Sequence, residues 1–392
     1  MSADWRAKRR AKALREIQRD KHLGKAVSVM RAAEVKTPYH IARYTGLLSV
    51  DTQIHLPAGT VIQLHGKKAT GKSSLAQQLM GQIQKKYGED ASIGWATLGY
   101  KPDLEHWRMC GVTVELSPSE LAALGYEDPE DAPESVRGHT IGNIDVIDLG
   151  DSEEARKAPA EALMSAALRM VESGAYQMVV VEELGSGETK RDVTKDLHEE
   201  MTPGAWAKLM ADFLKKYYTR ARIPLPDGEP NETNVVVINP VRAVINSNPG
   251  GRGPTEQATS GYALEHAMAI NIKLASSRPK GGGTHKEIYW EVRKAKHGGH
   301  EGASGTLVWN YENGFDTIQD TFDAAVAIGT VVRSGAFYRF MDQQEKFQGG
   351  ARAVKHLREN PALLADLYEA TVEVANGRAD LESVLDGSFW GE

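Results

Sequence analysis

Residues 66–73 read Gly66-Lys67-Lys68-Ala69-Thr70-Gly71-Lys72-Ser73. This segment fits G-x-x-x-x-G-K-[ST] at every fixed position. It follows an apolar run typical of a buried strand, Thr60–Leu64, and it opens a helical pattern over Ser73–Lys86. A strand before the pattern and a helix after it form the context in which it builds a phosphate-binding loop. The segment therefore predicts an α/β protein that binds a nucleotide by its phosphates.

Each fixed residue of the loop has a chemical role. The glycines let successive backbone N–H groups face a phosphate, and the N-terminus of the following helix favours negative charge. Lys72 is expected to neutralise the β- and γ-phosphates, and the Ser73 hydroxyl to bind Mg²⁺. We therefore expect ATP and Mg²⁺ as cofactors. Residues 66–74, from Gly66 to Ser74, would contact ATP.

A second carboxylate ligand for Mg²⁺ is expected at the end of a neighbouring buried strand. The run Met178–Val181 is apolar and is followed directly by Glu182 and Glu183. Glu182 is therefore predicted to hold the metal, either directly or through water.

Other apolar runs and helical patterns alternate along the middle of the chain. This alternation predicts a mostly parallel central sheet flanked by helices. The further predicted strands are Ile93–Thr97, Ile144–Leu149, Asn234–Asn239 and Ala267–Ala275, and the further predicted helices are Ala158–Ser173 and Gly204–Tyr218.

Composition excludes several classes of protein. The chain has 392 residues, of which 41% are hydrophobic and 26% charged, which excludes collagen-like, coiled-coil and wholly disordered chains. No apolar run reaches the roughly 18 residues that a membrane span needs, and residues 1–25 lack the apolar core of a secretory signal. A single cysteine, Cys110, fits a reducing compartment, so we expect a cytoplasmic protein. With a net charge of −6, any surface for nucleic acid must be local.

The chain divides into three predicted regions. Residues 1–45 hold a basic amphipathic helix over residues 4–23, which is either a solvated helix or an arm that docks on a neighbour or on DNA. Residues 46–318 form the nucleotide-binding core, with an acidic insertion at about 116–137. Residues 319–392 form a small C-terminal α/β domain, with a predicted helix over Thr321–Ile328.

One polar segment interrupts the core between two apolar strands. Asn246–Gly261 reads NSNPGGRGPTEQATSG, which is too rich in glycine, proline and polar residues for regular structure. A long loop inside a compact domain is usually functional or disordered.

Several segments, taken in order, resemble the RecA/UvsX family of recombinases over almost the whole chain. The resemblance rests on the phosphate loop and on these segments: Thr45-Gly46-Leu47-Leu48-Ser49-Val50-Asp51, Asp103 with His106 and Arg108, Pro203 to Met210, Val236-Val237-Ile238-Asn239 with Arg242, Ser260-Gly261-Tyr262-Ala263-Leu264, Val292-Arg293-Lys294-Ala295-Lys296 and Gly335-Ala336-Phe337-Tyr338.

This resemblance implies a RecA-like core, an N-terminal helix that packs on the next protomer, and a helical filament on DNA. ATP would lie between protomers, with Asp103 and His106 on the adenine side and with Lys72, Lys294 and Lys296 acting in catalysis. Two loops, about Lys195–Pro203 and Asn246–Gly261, would hold single-stranded DNA. The implied DNA-binding residues are Met201, Thr202, Pro203, Gly204, Lys208, Lys215, Arg242, Asn248, Gly250, Gly251, Arg252, Gly253, Ser260 and Gly261.

Three aromatic or imidazole rings near these segments have two interpretations each. Either His106 or Trp107 stacks on adenine, or the ring packs in the core instead. Trp206, beside the first DNA loop, stacks on a base or packs on its own helix face.

The chain departs from the family at three catalytic positions. The segment Ile93–Pro102 contains no carboxylate where the family has its catalytic Glu, Pro240 replaces a Gln that senses the γ-phosphate, and Glu265 replaces a Lys. Either the protein binds ATP and hydrolyses it poorly, or the catalytic base has moved to Glu183. Glu183 could instead simply cap a helix or form a salt bridge.

The resemblance predicts a DNA-dependent ATPase that promotes homologous pairing and strand exchange, of the divergent phage type. Its partners would be single-stranded DNA, homologous duplex DNA, further copies of itself, and a single-strand-binding protein and loader; a phage protein would act in the host cytoplasm. The alternatives are a non-hydrolysing paralogue that modulates another recombinase's filament, and a RecA-fold helicase or motor.

Overall fold

A computed structural model describes most of the chain. The described residues are 3–19, 21, 41–99, 101–114, 118–123, 125–126, 128, 131, 143–149, 153–182, 188–195, 202, 204–221, 223–244, 255–258, 261–277, 283–296, 299–377 and 379–386.

The chain separates into two compact units, Met1–Thr37 and Pro38–Glu392. The first contains helix α1, Ala3–Arg19, which is basic and carries an ion pair between Lys12 and Glu16 at 3.8 Å. The predicted helix over residues 4–23 is thus present as far as Arg19. All elements described below belong to the second unit.

The second unit is built on one large mixed sheet. Its strands are β3 (Val61–Gly66), β4 (Ser92–Thr97), β5 (Asn143–Ile147), β6 (Met178–Glu182), β7 (Asn234–Val244), β8 (Thr255–Ala258), β9 (Ile270–Ser276), β10 (His285–Ala295), β11 (Ser304–Asn310) and β12 (Gly314–Phe315). Their order is β12-β11-β10-β9-β3-β7-β6-β4-β5, with β8 paired to β7. From β9 to β5 the neighbours are parallel, and β10 to β12 extend the sheet in antiparallel fashion. The predicted mostly parallel α/β sheet is confirmed.

Helices and short strands complete this unit. The helices are α2 (Leu48–Asp51), α3 (Lys72–Tyr87), α4 (Leu104–Met109), α5 (Pro118–Ala123), α6 (Glu153–Lys157), α7 (Pro159–Ser173), α8 (Ala205–Arg220), α9 (Gly261–Ala267), α10 (Thr317–Ile328), α11 (Gly350–Glu359), α12 (Pro361–Ala375) and α13 (Leu381–Asp386). The short strands β1 (Ala42–Arg43) and β2 (Leu56–Pro57) pair with each other, and β13 (Val331–Ser334), β14 (Phe337–Phe340) and β15 (Phe347–Gln348) form a small sheet. None of the described helices is long and apolar enough to span a bilayer.

The central strands are apolar on both sides because helices cover both faces of the parallel sheet. In β6, Met178 and Val180 join a cluster with Leu79 of α3, whereas Val179 and Val181 join a second cluster with Leu168 of α7. This alternation explains why the sequence of β6 reads as one unbroken hydrophobic run.

The C-terminal segment has a hydrophobic cluster of its own, which includes Phe322, Phe340 and Leu367. It also contacts the core, because the Ser49 backbone N–H donates to Asp320 Oδ2 at 3.1 Å. The predicted boundaries of the three regions, between residues 45 and 46 and between residues 318 and 319, stay a prediction.

Three local expectations differ from the structure. The predicted strand Ala267–Ala275 begins at Ile270, because Ala267 ends helix α9. The segment Asn246–Gly261 is not wholly irregular, since Thr255–Ala258 form β8 opposite Val241–Val244. The helix expected from Thr321 begins at Thr317, where Asp316 caps it by accepting from the Gln319 N–H. In each case, backbone pairing or a helix cap determined where the element begins, and side-chain composition alone did not.

Candidate nucleotide-binding site

The phosphate loop runs from the end of β3 to the start of α3 in a shape that only small residues permit. Gly71 caps the helix at φ 85°, in the left-handed region. A Cβ added to Gly66 would lie 2.1 Å from the carbonyl oxygen of Leu274. Because that atom belongs to the backbone of β9, it cannot move aside, and the loop requires glycine at both fixed positions.

Lys72 is held inside this loop. Its side chain is buried, and its Nζ donates to the Lys67 carbonyl at 2.6 Å. The same carbonyl accepts from Thr70 Oγ1 at 2.9 Å. The ammonium group is thus held against the backbone of the loop, where a phosphate oxygen can replace the carbonyl as its partner.

Two oxygen donors suited to Mg²⁺ meet at the head of α3. Ser73 Oγ donates to Glu182 Oε1 at 2.5 Å, which joins the phosphate loop to the end of β6. Mg²⁺ takes hard oxygen ligands and usually combines one or two protein groups with phosphate oxygens and water. The Ser73 hydroxyl and the Glu182 carboxylate therefore fit the predicted metal site.

A cavity of about 440 Å³ opens beside the loop. Residues Ala69–Ser74 form one wall, and the rest of the lining comes from α4 and its N-cap, from β10 and β11, and from Tyr311 just after β11. Both of the residues predicted for the adenine side, Asp103 and His106, belong to this lining.

His106 connects the loop to the aromatic wall of the cavity. Its Nε2 is hydrogen-bonded to Ser74 Oγ at 3.0 Å, and its ring stacks on Trp309 with centroids 5.2 Å apart. Asp103 caps α4 by accepting from the backbone N–H groups of Glu105 and His106. Burial lowers the pKa of His106 below 6.5, although the Asp103 carboxylate opposes this shift. A neutral, flat imidazole at neutral pH suits a nucleotide base better than a second cation would.

Sequence reasoning missed five residues of this cavity: Glu105 and Met109 lie on α4, and the other three come from the antiparallel end of the sheet. Lys286 Nζ donates to the Ala69 carbonyl at 3.0 Å, and burial lowers the pKa of Lys286. Trp309 is buried, whereas Tyr311 is 46% exposed at the rim. No local motif marks the three residues from the sheet; only the pairing of β10 with β9 and β11 brings them to the loop.

Trp107 does not line this cavity. It is 1% exposed and packs against Trp95, with ring centroids 5.3 Å apart. Of the two interpretations, core packing is correct for Trp107, while His106 lies at the cavity. Trp206 is half-buried and packs against the cluster that covers α7 and α8.

Lys294 and Lys296 also lie apart from the cavity of the phosphate loop. The Lys294 ammonium donates to the Glu265 carbonyl, and Lys296 Nζ donates to the His266 carbonyl at 3.3 Å. Both lysines therefore hold the C-terminal end of α9, the helix that begins at Gly261.

Two of the segments in which the sequence lacks an expected catalytic residue lie beside the loop. Thr97, the last residue of β4, pairs with Glu182, and Pro240 of β7 pairs with Gly66. Thr97 belongs to the segment Ile93–Pro102, which contains no carboxylate, and Pro240 is the residue expected in place of a sensor Gln. Glu183 lies outside the described residues.

The predicted DNA residues are described only in part. Thr202 is tied to the turn at 189–195, since its N–H donates to Asp192 Oδ1 at 2.7 Å and its hydroxyl accepts from Lys195. The hydrogen bonds that Asp192 accepts, first from the Thr202 N–H and then from the Thr189 hydroxyl, hold its pKa well below its usual range. Gly204 caps α8 in the left-handed conformation.

Lys208 and Lys215 are exposed on α8. The backbone of Arg242 lies in β7, opposite Gln257, and Gly261 begins α9. The remaining predicted DNA residues lie outside the described part of the chain: Met201, Pro203, Asn248, Gly250, Gly251, Arg252, Gly253 and Ser260.

Comparison with known proteins gives relatives of one kind. Protein RecA of Fusobacterium nucleatum is 25% identical over 350 residues, which cover 86% of this chain and 77% of that protein. Protein RecA of Xylella fastidiosa is 26% identical over 92% of this chain and 91% of its own length. Protein RecA of Deinococcus radiodurans is 24% identical over 96% of this chain and 93% of its own.

No protein-family model matches the chain. Among solved structures, a KaiC-like protein of the archaeon Pyrococcus horikoshii OT3 aligns with 70% of this chain and 97% of its own, with a TM-score of 0.41 and 16% identity.

Proposed function

We propose that this chain, a divergent member of the RecA family, is an ATP-dependent DNA recombinase that assembles on single-stranded DNA and promotes homologous pairing and strand exchange. The observation that carries the proposal is the contact between Ser73 and Glu182, which joins a complete phosphate loop to a carboxylate at a strand end. The RecA proteins it resembles match it over most of their length.

In this proposal, Lys72 and the loop N–H groups bind the triphosphate, and Ser73 and Glu182 hold Mg²⁺, which would neutralise charge on the phosphates. His106, Trp309 and Tyr311 form the wall for the base. Lys294 and Lys296 would reach the nucleotide of a neighbouring copy. The bound nucleotide would then order the protomer interface and the loops around residues 195–203 and 246–261, and hydrolysis would release DNA.

Single-strand binding without sequence preference needs backbone N–H groups and a few cations. The exposed Lys208 and Lys215 on α8 and the polar segment at 246–261 are of that kind. We further propose the phage type for this recombinase, with homologous duplex DNA as the second substrate and with a single-strand-binding protein and a loader as partners.

One observation favours a second candidate, a paralogue that binds ATP with little hydrolysis and modulates another recombinase's filament. The segment Ile93–Pro102 has no carboxylate to act as a base, and Pro240, which pairs with Gly66, has no side-chain group that could sense a γ-phosphate. The helicase or motor alternative has no such observation in its favour.

Electron microscopy of the full chain with a non-hydrolysable ATP analogue and long single-stranded DNA tests the proposal. Helical filaments are expected, with DNA-stimulated ATP turnover and strand exchange when ATP replaces the analogue. Lys72→Ala is the control and should abolish nucleotide-dependent assembly. Closed rings would support a motor, and a chain that stays monomeric without affinity for DNA would overturn the proposal.

A further inference from the structure

The phosphate loop contains one residue in an unfavourable backbone conformation. Ala69 has a φ of 62°, in the left-handed region. Among the described residues, Ala69 and Met341 are the non-glycine residues with a positive φ. This region is unfavourable for an L-residue with a side chain, because its Cβ comes too close to the following carbonyl oxygen. Such a conformation persists only where the surrounding structure holds it in place.

Two side chains from neighbouring strands hold the carbonyl of Ala69. Lys286 Nζ of β10 donates to this oxygen at 3.0 Å, and Ser276 Oγ of β9 donates to it at 3.3 Å. Because a peptide unit is planar, fixing its oxygen also fixes the adjoining N–H, which belongs to Thr70. The two donors therefore set the orientation of one peptide unit inside the phosphate loop.

Strand pairing brings both donors to the same place. Ser276 of β9 pairs with Ile288 of β10, and Lys286 lies two residues before Ile288. Side chains two residues apart in a strand project from the same face of a sheet, and so do those of directly paired residues. Ile288 itself packs against the loop, since a Cβ added to Gly71 would lie 2.6 Å from Ile288 Cδ1. Ser276, Lys286 and Ile288 thus form a brace between the large sheet and the loop.

The Lys286 ammonium is committed to this contact. Among the described residues, no carboxylate forms an ion pair with Lys286, and the Ala69 carbonyl is the acceptor of its hydrogen bond. Its Nζ also lies 5.9 Å from the centroid of the Tyr311 ring, within range of a cation–π contact. Burial lowers the pKa of Lys286. A charged donor that is partly removed from water bonds a carbonyl more strongly than a solvated one does.

A lysine that lines a nucleotide cavity has two ways to assist binding. It can contact the nucleotide directly, or it can hold another group that does so. The hydrogen bond to the Ala69 carbonyl favours the second way, because the ammonium is engaged with the backbone of the loop. The left-handed conformation of Ala69 gives this contact a physical purpose, since the loop needs support at that residue.

We propose that Lys286 is a positioning residue for nucleotide binding: together with Ser276 it holds Ala69 in the left-handed conformation and keeps the phosphate loop in the shape that receives a triphosphate. This inference rests on the part of the proposed function that places ATP at this loop. A loop that adopts its binding shape for only part of the time binds with an affinity reduced by that fraction. Lys286 therefore raises the affinity for the nucleotide by acting through the loop.

A double-mutant cycle between Lys286 and Ala69 tests this role. Lys286→Met removes the ammonium and keeps a long side chain, whereas Ala69→Gly removes the cost of the left-handed conformation, which glycine adopts readily. Calorimetry of the full chain with Mg²⁺ and a non-hydrolysable ATP analogue measures the affinities. We expect Lys286→Met alone to weaken binding by about tenfold, as for loss of a charge-assisted hydrogen bond. In the Ala69→Gly chain the same change should weaken binding by less than about threefold, since less strain remains to be held.

Lys346→Met is the matched control, because it removes an exposed lysine elsewhere. It should leave the affinity within about twofold of the wild type. Thermal melting shows that each chain folds, and Lys286→Gln replaces Lys286→Met if the latter does not. An equal loss of affinity in the Ala69 and Ala69→Gly chains would show that Lys286 contacts the nucleotide directly and would overturn the proposal. Full affinity in the Lys286→Met chain would overturn it as well.

Nuclear magnetic resonance of the full chain without nucleotide tests the contact itself. Alanine labelled with ¹³C at the carbonyl and threonine labelled with ¹⁵N give one signal for each Ala-Thr pair. The sequence has four such pairs: Ala69-Thr70, Ala96-Thr97, Ala258-Thr259 and Ala370-Thr371. The Ala69 signal is the one that Ala69→Gly deletes. We expect Lys286→Met to move the carbonyl signal of Ala69 to higher field, as loss of a hydrogen-bond donor does, while the signals of Ala96 and Ala370 stay in place. An Ala69 signal that does not move would refute the contact.

The two measurements separate this inference from the proposed function. A wild-type chain that binds no ATP analogue contradicts the proposed function, and the Ala69 signal still decides whether Lys286 holds the loop. Normal nucleotide binding without coupling between Lys286 and Ala69 contradicts the positioning role alone.

Discussion

His106 and Trp107 are neighbours in sequence with opposite environments. They project from α4 in directions about 100° apart, so one reaches the nucleotide cavity and the other the core. Composition alone could not separate them, since both are flat rings that stack well.

Truncation of each ring should therefore have a different effect. We expect Trp107→Ala to lower the free energy of unfolding by about 3–5 kcal/mol, because it leaves a cavity beside Trp95. His106→Ala should cost less than about 1 kcal/mol of stability and weaken ATP binding by roughly tenfold, as the loss of a stacking wall and a hydrogen bond would. Denaturant unfolding and nucleotide titration measure the two effects, and the reverse pattern would contradict this assignment.

Glu183 remains the candidate base, directly after the carboxylate that contacts Ser73. We expect Glu183→Gln to lower ATP turnover by about 10²- to 10⁴-fold, the usual range for loss of a general base, with ATP affinity unchanged. Glu188→Gln, at an exposed position a few residues on, is the control and should turn over ATP normally. A Glu183→Gln chain that hydrolyses ATP at the wild-type rate would show that another group activates water.

Two buried carboxylates lie where helices α2 and α10 meet, and one of them, Asp320, joins the two helices. The Ser49 backbone and hydroxyl both donate to Asp320, and Asp51 accepts from the N–H groups of Thr45 and Gly46 at 2.8 Å. Burial raises the pKa of Asp51 to about 7 and that of Asp320 to about 6. The core and the C-terminal helices thus meet at groups that resist ionisation.

This junction makes the stability of the chain depend on pH. The folded protein holds these protons more tightly than the unfolded chain, whose aspartates titrate near 3.8. Their contribution is therefore complete below that pH and is lost as the pH rises towards about 7. We expect Asp51→Asn and Asp320→Asn to flatten the fall in melting temperature over this range. Asp342→Asn, at an exposed site, should leave the slope as in the wild type, and a slope unaffected by all three changes would refute the effect.

At the scale of the whole molecule, the net charge of −6 opposes binding to DNA. Affinity for a single strand must then come from local cations, and it should fall steeply as salt is added. The exposed lysines of α8 are the described candidates.

Substitution of these lysines should change the salt dependence in a defined way. Removing one cation that binds a phosphate of a single strand lowers the slope of log affinity against log salt by about 0.7, so Lys208→Gln plus Lys215→Gln should lower it by about 1.4. Fluorescence anisotropy with mixed-sequence oligonucleotides at several salt concentrations measures this slope. Lys346→Gln plus Lys355→Gln controls for the change in net charge, and the same slope in both pairs would exclude α8 from the DNA surface.

The sequence by itself determined the phosphate loop, the fold class and the Ser73–Glu182 pair. These features are encoded in contiguous residues, since a Gly-rich turn between strand and helix, and a carboxylate after a buried strand, need only local geometry and the common edge of a parallel sheet. Residues 255–258 show the limit of this reasoning, because a polar composition hid a strand that forms only against β7.

Only the tertiary structure decided which distant residues complete the nucleotide cavity. Lys286, Trp309 and Tyr311 reach the loop because β10 and β11 extend the sheet beyond β9. Ser276 and Lys286 meet at the Ala69 carbonyl because β9 and β10 pair in antiparallel register. Strand order and register depend on contacts over the whole sheet, and no local pattern of residues encodes them.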